Sequence, residues 1–457
     1  MTATNTWARS PGLFLRRLYD RATHILAQAC KDVRMSPQSP SEETRAIELL
    51  TDTQADRALS KVLDALDLAP YQRTGHGLGA GSWRLVQLNH RPGAGVTGVF
   101  AVELSSPAVG LPRHLGLDEN EVLVCLSTAA LPDDAAVVTL DWNGCRFASW
   151  LWPDDPWLPG LRQAADPTAR LVSRSDLRSV PVTYRPTRRA VLRLTDADFL
   201  TTAYVKVVRA AREADLVVRH TVLANHHVPV PRPLARSGDG AVVLSHLPGP
   251  TAVGPIREEG TGVVAPEHLL ALLDRFPSAV ADFPRRAAWS DRALDYARSA
   301  QAALPEEGVR VQTLAEAVEV FVRSGQDVDD DGPVPVHGDF HPGNLILGPN
   351  PVDPALGPIT GLLDLDAVGP GLLADDLACF VAHTWLLAID PSDPSSVPSV
   401  VKAYLDAFDE VVDPVGLRVR TAGVLLSLIG VAGRRRGASA ARAGLTVAES
   451  AYRLALV

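Results

Sequence analysis

Positive charge is in short supply. The 457 residues carry 44 Lys and Arg against 53 Asp and Glu, a formal net charge of −9. Nucleic-acid binders neutralise phosphates with a basic surplus, so this balance argues against a nucleic-acid partner and mildly for a neutral or cationic one. Lysine is scarcer still: Lys31, Lys61, Lys206 and Lys402 are the only four, and the other basic residues are arginines. With abundant Ala, Gly and Pro, that skew suggests the codon bias of a GC-rich genome and makes each remaining lysine worth a question. Cys30, Cys125, Cys145 and Cys379 are far apart and form no Cys-x-x-Cys pair. That excludes a cysteine zinc site and fits reduced thiols in a cytoplasmic protein. No apolar run approaches a membrane span; the best, Ala422 to Ala432, reads as a core helix.

What is present suffices for folding. At 46 % hydrophobic and 21 % charged residues, the chain holds core for two to three domains. Residues 1–40 read as an N-terminal tail with a helix from Pro11 to Cys30, loosely attached or, on a second reading, an organellar transit peptide. Met35 is the only internal methionine, which leaves open whether residues 1–34 belong to the natural start. Residues 41–170 form a β-rich accessory domain. A helix is expected over Ser41–Asp67, then strands at Ser82–Asn89, Val96–Leu104, Val122–Leu126, Ala136–Leu140 and Cys145–Trp150. Asn143-Gly144 marks the last hairpin, because that pair tolerates the positive φ angles of its turn. Between them, Gly75 to Gly81 precedes a strand-like run where a phosphate loop should open a helix, and reads as a flexible turn. Trp152 to Gly160 reads as a rigid boundary. Asn89–Val96 and Thr183–Ala190 echo one another, each a turn flanked by β runs.

Residues 171–248 begin with a meander: Val180–Tyr184, Ala190–Thr195 and Thr202–Val208. Lys206 lies inside the third strand, among β-branched residues, where a lysine is unfavourable unless it has a task. A helix from Ala210 to Asn225 carries Glu213 in its first turns. Residues 249–457 are mostly helical. Asp327-x-Asp329-x-Asp331-Gly332 begins like a calcium loop but has Gly338 at the position that needs a bidentate Glu, so it reads as a solvated acidic loop.

The stretch that carries chemistry is Val336-His337-Gly338-Asp339-Phe340-His341-Pro342-Gly343-Asn344, with apolar runs on both sides. It reads as strand, tight loop, strand. An Asp and an Asn on one loop suit phosphoryl transfer, since a carboxylate can take the proton of an attacking hydroxyl and an amide oxygen can hold magnesium. His341 reads as a turn residue near solvent. Asp364 ends a later strand, with Asp366 just beyond, and Asp376 starts a helix in Asp-Leu-Ala. In this order and spacing the set resembles the aminoglycoside-phosphotransferase (APH)-like family of the protein-kinase-like superfamily. The likeness covers residues from about 175 to the end and leaves 1–170 unexplained.

The resemblance implies an α+β, protein-kinase-like two-lobe fold, with a β-rich N-lobe and a helical C-lobe, preceded by an additional α/β-containing N-terminal domain. It implies ATP and Mg2+ as cofactors and a phosphoryl transfer to an alcohol group. Asp339 would be the catalytic base. Asn344 and Asp364 would hold the metal. Lys206 would contact the nucleotide phosphates, paired with Glu213, while His337 and Asp376 would be structural. The turn between the first two N-lobe strands, Tyr184 to Arg189, departs from the family by lacking glycine; Arg188 or Arg189 could supply charge there, or the turn could serve the N-terminal domain. The acceptor is expected to be a small molecule of the aminoglycoside, antibiotic or metabolite type. The alternatives are a precursor peptide in a natural-product pathway that also uses a lyase, and a pseudokinase-like binding subunit. No nucleic acid or membrane is expected as partner; the N-terminal domain could receive a protein partner.

Overall fold

The structure, a computed structural model, describes residues 40–53, 55–66, 82–91, 93–104, 117–118, 120–166, 171–172, 176–198, 200–259, 263–325 and 332–456. The expected helix at Pro11–Cys30, the glycine run Gly75–Gly81 and the acidic residues Asp327–Asp331 lie outside the described residues. The chain forms two compact units. One comprises the described residues up to Val217 together with Pro233–His246, and the other Val218–Arg232 and the residues from Leu247 on.

The first unit opens with α1 (Pro40–Thr51) and α2 (Asp56–Ala65) where one helix was expected. The break falls at Thr51-Asp52-Thr53. Thr51 Oγ1 bonds back to the Ile47 and Glu48 carbonyls, and short polar side chains of this kind compete with the helix for backbone groups. Five antiparallel strands follow: β1 (Trp83–Arg91), β2 (Gly95–Glu103), β3 (Glu121–Ser127), β4 (Val138–Trp142) and β5 (Cys145–Leu151). Asn143 and Gly144 turn the last hairpin with φ of 47° and 81°. Strand β2 is buried on both faces. Its Val96, Phe100 and Val102 pack on α1 and α2, while Val99 and Ala101 face a second sheet, as the two-residue period of a strand requires.

After α3 (Leu161–Ala165), that second sheet comprises β6 (Arg178–Arg185), β7 (Arg189–Thr195), β8 (Thr201–Val208), β9 (Pro233–Arg236) and β10 (Ala241–Ser245), with α4 (Glu213–Asn225) between β8 and β9. The strand orders are β1-β2-β3-β5-β4 and β6-β7-β8-β10-β9. They match strand for strand, and the sequence echo is now placed: in both sheets it spans the first hairpin. Ala203, Val205 and Val207 face the first sheet. Val208, Val242 and Leu244 pack on Leu216 of α4.

The second unit is helical: α5 (Val253–Glu259), α6 (Pro266–Asp274), α7 (Ala293–Ala303), α8 (Gly308–Ser324), α9 (Leu373–Ala388), α10 (Ser399–Phe408), α11 (Pro414–Arg436) and α12 (Ala438–Arg453). Two short ribbons interrupt it. β11 (Val334–Val336) pairs with β14 (Gly369–Gly371), and β12 (Leu345–Leu347) with β13 (Ile359–Leu362). α11 runs 23 residues and is long and apolar enough to cross a membrane, longer than its sequence suggested, but 72 % of its apolar window is buried inside the protein. It is the core helix of this unit. Beside it an aromatic row, Phe340, Phe380, Tyr404 and Phe408, runs at centroid spacings of 5.7, 5.0 and 5.8 Å.

Candidate active site

The loop after β11 is fixed before any ligand arrives. Asp376, in the first turn of α9, is fully buried. Its two carboxylate oxygens accept the backbone N–H groups of His337 (2.6 Å) and Gly338 (2.8 Å). Burial pushes its carboxyl up to about 7, against these two amides, which pull it down. Gly338 has φ +76°, and a Cβ there would stand 2.7 Å from the Ala367 carbonyl oxygen. Only glycine suits this point. His337 is fully buried. Its Nε2–H donates to the Leu363 carbonyl (2.9 Å), and Nδ1 accepts from Asp339 N–H (3.3 Å). Burial lowers its pKa, so the ring is neutral and ties the loop to the segment bearing Asp364. These contacts present Asp339 half-exposed, with the Cys379 thiol 4.0 Å from Oδ1.

Asn344 and Asp364 meet at one end of the β12–β13 ribbon. Leu345 pairs with Leu362, and Leu363 N–H donates to the Asn344 carbonyl (2.8 Å). The Asn344 amide donates through Nδ2 to the Asp339 carbonyl (2.9 Å), which makes Oδ1 the acceptor presented to a ligand. Asp364 sits in the left-handed region, φ 57° and ψ 61°, a conformation that costs a non-glycine residue about 1–3 kcal/mol. Two hard oxygen donors suit a magnesium ion that takes its remaining ligands from phosphate and water. No group of three or more His, Cys, Asp or Glu able to hold a metal occurs among the described residues.

Lys206 lies in the first unit. It is 6 % exposed and pairs with Val191 and Val242, on the sheet face that packs against α4. The Glu213 carboxylate, 4 % exposed, accepts from Gly238 N–H (3.1 Å), Gly240 N–H and the Ser237 hydroxyl (3.3 Å). Its hydrogen bonds thus serve the β9–β10 turn. Arg188 is exposed on the β6–β7 turn.

Several neighbours of the loop were not anticipated. His341 is half-buried and stacks on His383 at 4.3 Å and 14°, where a turn residue near solvent was expected. Burial lowers its pKa and pushes His383 down to about 3. Asp376, Cys379, Phe380 and His383 are spaced i, i+3, i+4, i+7 on α9. Helical periodicity from Asp376 would have placed all four on the face toward the loop. Behind them, Arg420 of α11 is 2 % exposed and donates to Asp375 Oδ1 (2.7 Å), which also accepts from the Ser290 hydroxyl (3.0 Å).

Residues 168–414, more than half of the chain, match the model of the phosphotransferase enzyme family, APH. No curated protein matches. Similar solved structures include choline kinase from Cryptosporidium parvum Iowa II, 10 % identical over 65 % of this chain and 92 % of that chain, TM-score 0.40. The GDP complex of aminoglycoside 2′-phosphotransferase-IIIa is 14 % identical over 64 % of this chain and 96 % of that one, TM-score 0.36. A thermostable mutant of APH(4)-Ia in ternary complex with ADP and hygromycin B is 14 % identical over 61 % and 94 %, TM-score 0.40. It is the family match that decides: this chain belongs to the phosphotransferase enzyme family.

Proposed function

We propose that the protein transfers the γ-phosphoryl group of ATP to a hydroxyl of a small molecule, of the aminoglycoside, antibiotic or metabolite type. Family membership makes it a phosphotransferase acting on alcohol groups. The observation that carries the reading is the double fixation of the Asp339 loop, by Asp376 on one side and His337 on the other. Phosphoryl transfer asks little covalent work of a protein and much positioning, and this loop is built to position. Asp339 orients the acceptor hydroxyl and takes its proton. Asn344 Oδ1 and the Asp364 carboxylate would hold magnesium, which would supply positive charge to offset that of the nucleotide phosphates. Lys206, paired with Glu213, contacts the α- and β-phosphates from the strand face beside α4, and Arg188 adds positive charge where the turn lacks glycine. The three described cysteines are free and buried, in keeping with a reducing, cytoplasmic setting.

The test is turnover of ATP and magnesium with a panel of hydroxylated small molecules, with products weighed by mass spectrometry. Asp339→Asn should cut kcat by about 10²–10⁴-fold while nucleotide still binds. Undiminished turnover in that variant, or no nucleotide binding by the unaltered protein at millimolar ATP, would overturn the proposal.

A further inference from the structure

The turn that lacks glycine is not left to itself. Arg188 N–H bonds to the Arg185 carbonyl (3.0 Å), Pro186 stands at the second position, and Thr187 at the third has φ +63°. That is the signature of a type II turn, whose third position normally goes to Gly or Asn. A threonine there is strained unless something holds it. The holder is Asp155, 2 % exposed, in the segment that leaves the first sheet. Asp155 Oδ2 accepts Thr187 N–H (2.7 Å) and the Tyr184 hydroxyl (2.8 Å), and Oδ1 accepts Trp157 N–H (2.9 Å). The Tyr184 oxygen in turn accepts from Trp150 Nε1 of β5 (3.1 Å). On the other side of the residue, Arg209 Nε donates to the Thr187 carbonyl (3.0 Å) while its guanidinium lies 4.1 Å over the Trp157 ring. Both backbone groups of Thr187 are therefore taken, one by a buried carboxylate and one by a stacked arginine.

The same segment braces a second turn. Gly160 N–H donates to the Asp239 carbonyl (2.9 Å), and Gln163 Nε2 to the Asp239 carboxylate (2.9 Å). A Cβ on Gly160 would lie 2.7 Å from Ala241 N, so this approach needs glycine. The 237–240 turn is the one that binds Glu213. The register places both turns at one end of the sheet: Arg189 pairs with Val208 and Ala241 with Val207. Lys206 is two residues inside that end, about 7 Å along the strand.

We propose that Asp155 is a positioning residue for the phosphates of the nucleoside triphosphate. By holding Thr187 in the left-handed conformation, it fixes the Arg185–Arg189 turn in one shape. Guanidinium groups on a stiff turn then do what free amides do on a glycine loop. The accessory sheet, through its exit segment Trp152–Gly160, thereby acts as a buttress for the phosphate-binding end of the second sheet. This rests on the phosphotransferase reading above and adds a residue and a domain to it.

The experiment uses the full chain. Binding of ATP with magnesium is measured by calorimetry, and KM and kcat are measured for ATP and for the acceptor. Asp155→Asn should raise KM for ATP about tenfold, with kcat at saturating ATP falling by less than about twofold and the acceptor KM little moved. Arg209→Gln, which removes the other grip on Thr187 and leaves the buried carboxylate in place, should shift KM for ATP in the same direction. A part that only stabilised the fold would lower the active fraction, and so kcat, without moving KM. An unchanged KM for ATP in Asp155→Asn overturns the inference; if that variant does not fold, an unchanged KM in Arg209→Gln overturns it instead. Failure of the unaltered protein to bind ATP overturns the phosphotransferase reading, a different result from either.

Discussion

Acid should act on this protein through the histidine stack beside the catalytic loop. The His341 and His383 rings lie 4.3 Å apart and nearly parallel, and a proton on either puts a cation into a half-buried stack. His383 is pushed from 6.5 down to about 3 by burial first and by His341 second. At pH 5 the unfolded chain therefore binds a proton at this position that the folded chain refuses. The contribution is full above 6.5 and is lost as pH falls toward 3, amounting to at most about 2 kcal/mol between pH 7.5 and pH 5. The ring is partly open to solvent, which places the effect below that ceiling. Asp376 works in the opposite sense: its carboxyl is raised to about 7, so the folded chain takes up a proton first and gains stability as pH falls below that value. The whole-protein curve mixes the two, and the difference between the unaltered protein and His383→Gln isolates one. In urea melts the variant should be less stable near neutral pH, and its disadvantage should shrink by up to about 2 kcal/mol near pH 5. An equal difference at both pH values would refute the assignment.

Two further perturbations test the frame around the loop. Arg420→Ala removes the cation that faces Asp375 and should cost about 3–5 kcal/mol in thermal or urea melts, because a buried carboxylate is left unpaired. Adding Asp375→Asn should restore part of that loss, and no recovery would show that packing of the arginine stem dominates. Gly338→Ala forces a Cβ toward the Ala367 carbonyl at positive φ and should abolish turnover with a stability cost of about 1–3 kcal/mol. Gly254→Ala, with nothing within 4 Å of its Cβ, is the control that should leave both close to the unaltered values.

The parts of this protein that depend on local chemistry were legible in its sequence. The Asp339–Asn344 loop, the strand leading toward Asp364 (it stops at Leu362, two residues short of the expected end) and the helix starting near Asp376 each follow from a short run of residues, and the structure joins them through Leu363, His337 and two backbone amides. The Asn143-Gly144 hairpin could be read the same way. What stayed hidden depends on distant partners. The turn more than twenty residues on that donates to the Glu213 carboxylate could not be read from its helix alone. His383 belongs to the loop only because α9 carries it round to the face that Asp376 occupies. α11, expected over Val415–Val431, runs on to Arg436, because Arg434, Arg435 and Arg436 form its last turn where they read as a connection between helices.

The opening turns of the two sheets in the first unit are held in the same manner. In the first sheet, Glu43 of α1, 4 % exposed, accepts Gly95 N–H (3.1 Å) and meets His90 Nε2 (2.9 Å), gripping the β1–β2 hairpin. In the second, Asp155 grips the β6–β7 hairpin. Each sheet's opening turn is thus held by a buried carboxylate from the segment before it. The grips differ in what they hold. Gly95, at φ +95°, is suited to its turn by residue type, whereas Thr187 is not and depends on its carboxylate. A turn whose shape is imposed from outside can dispense with glycine and carry arginines in its place. On that argument the Asp155 grip and the glycine-free turn belong together: Thr187 can keep its left-handed conformation because the segment leaving the first sheet supplies a buried carboxylate to its N–H.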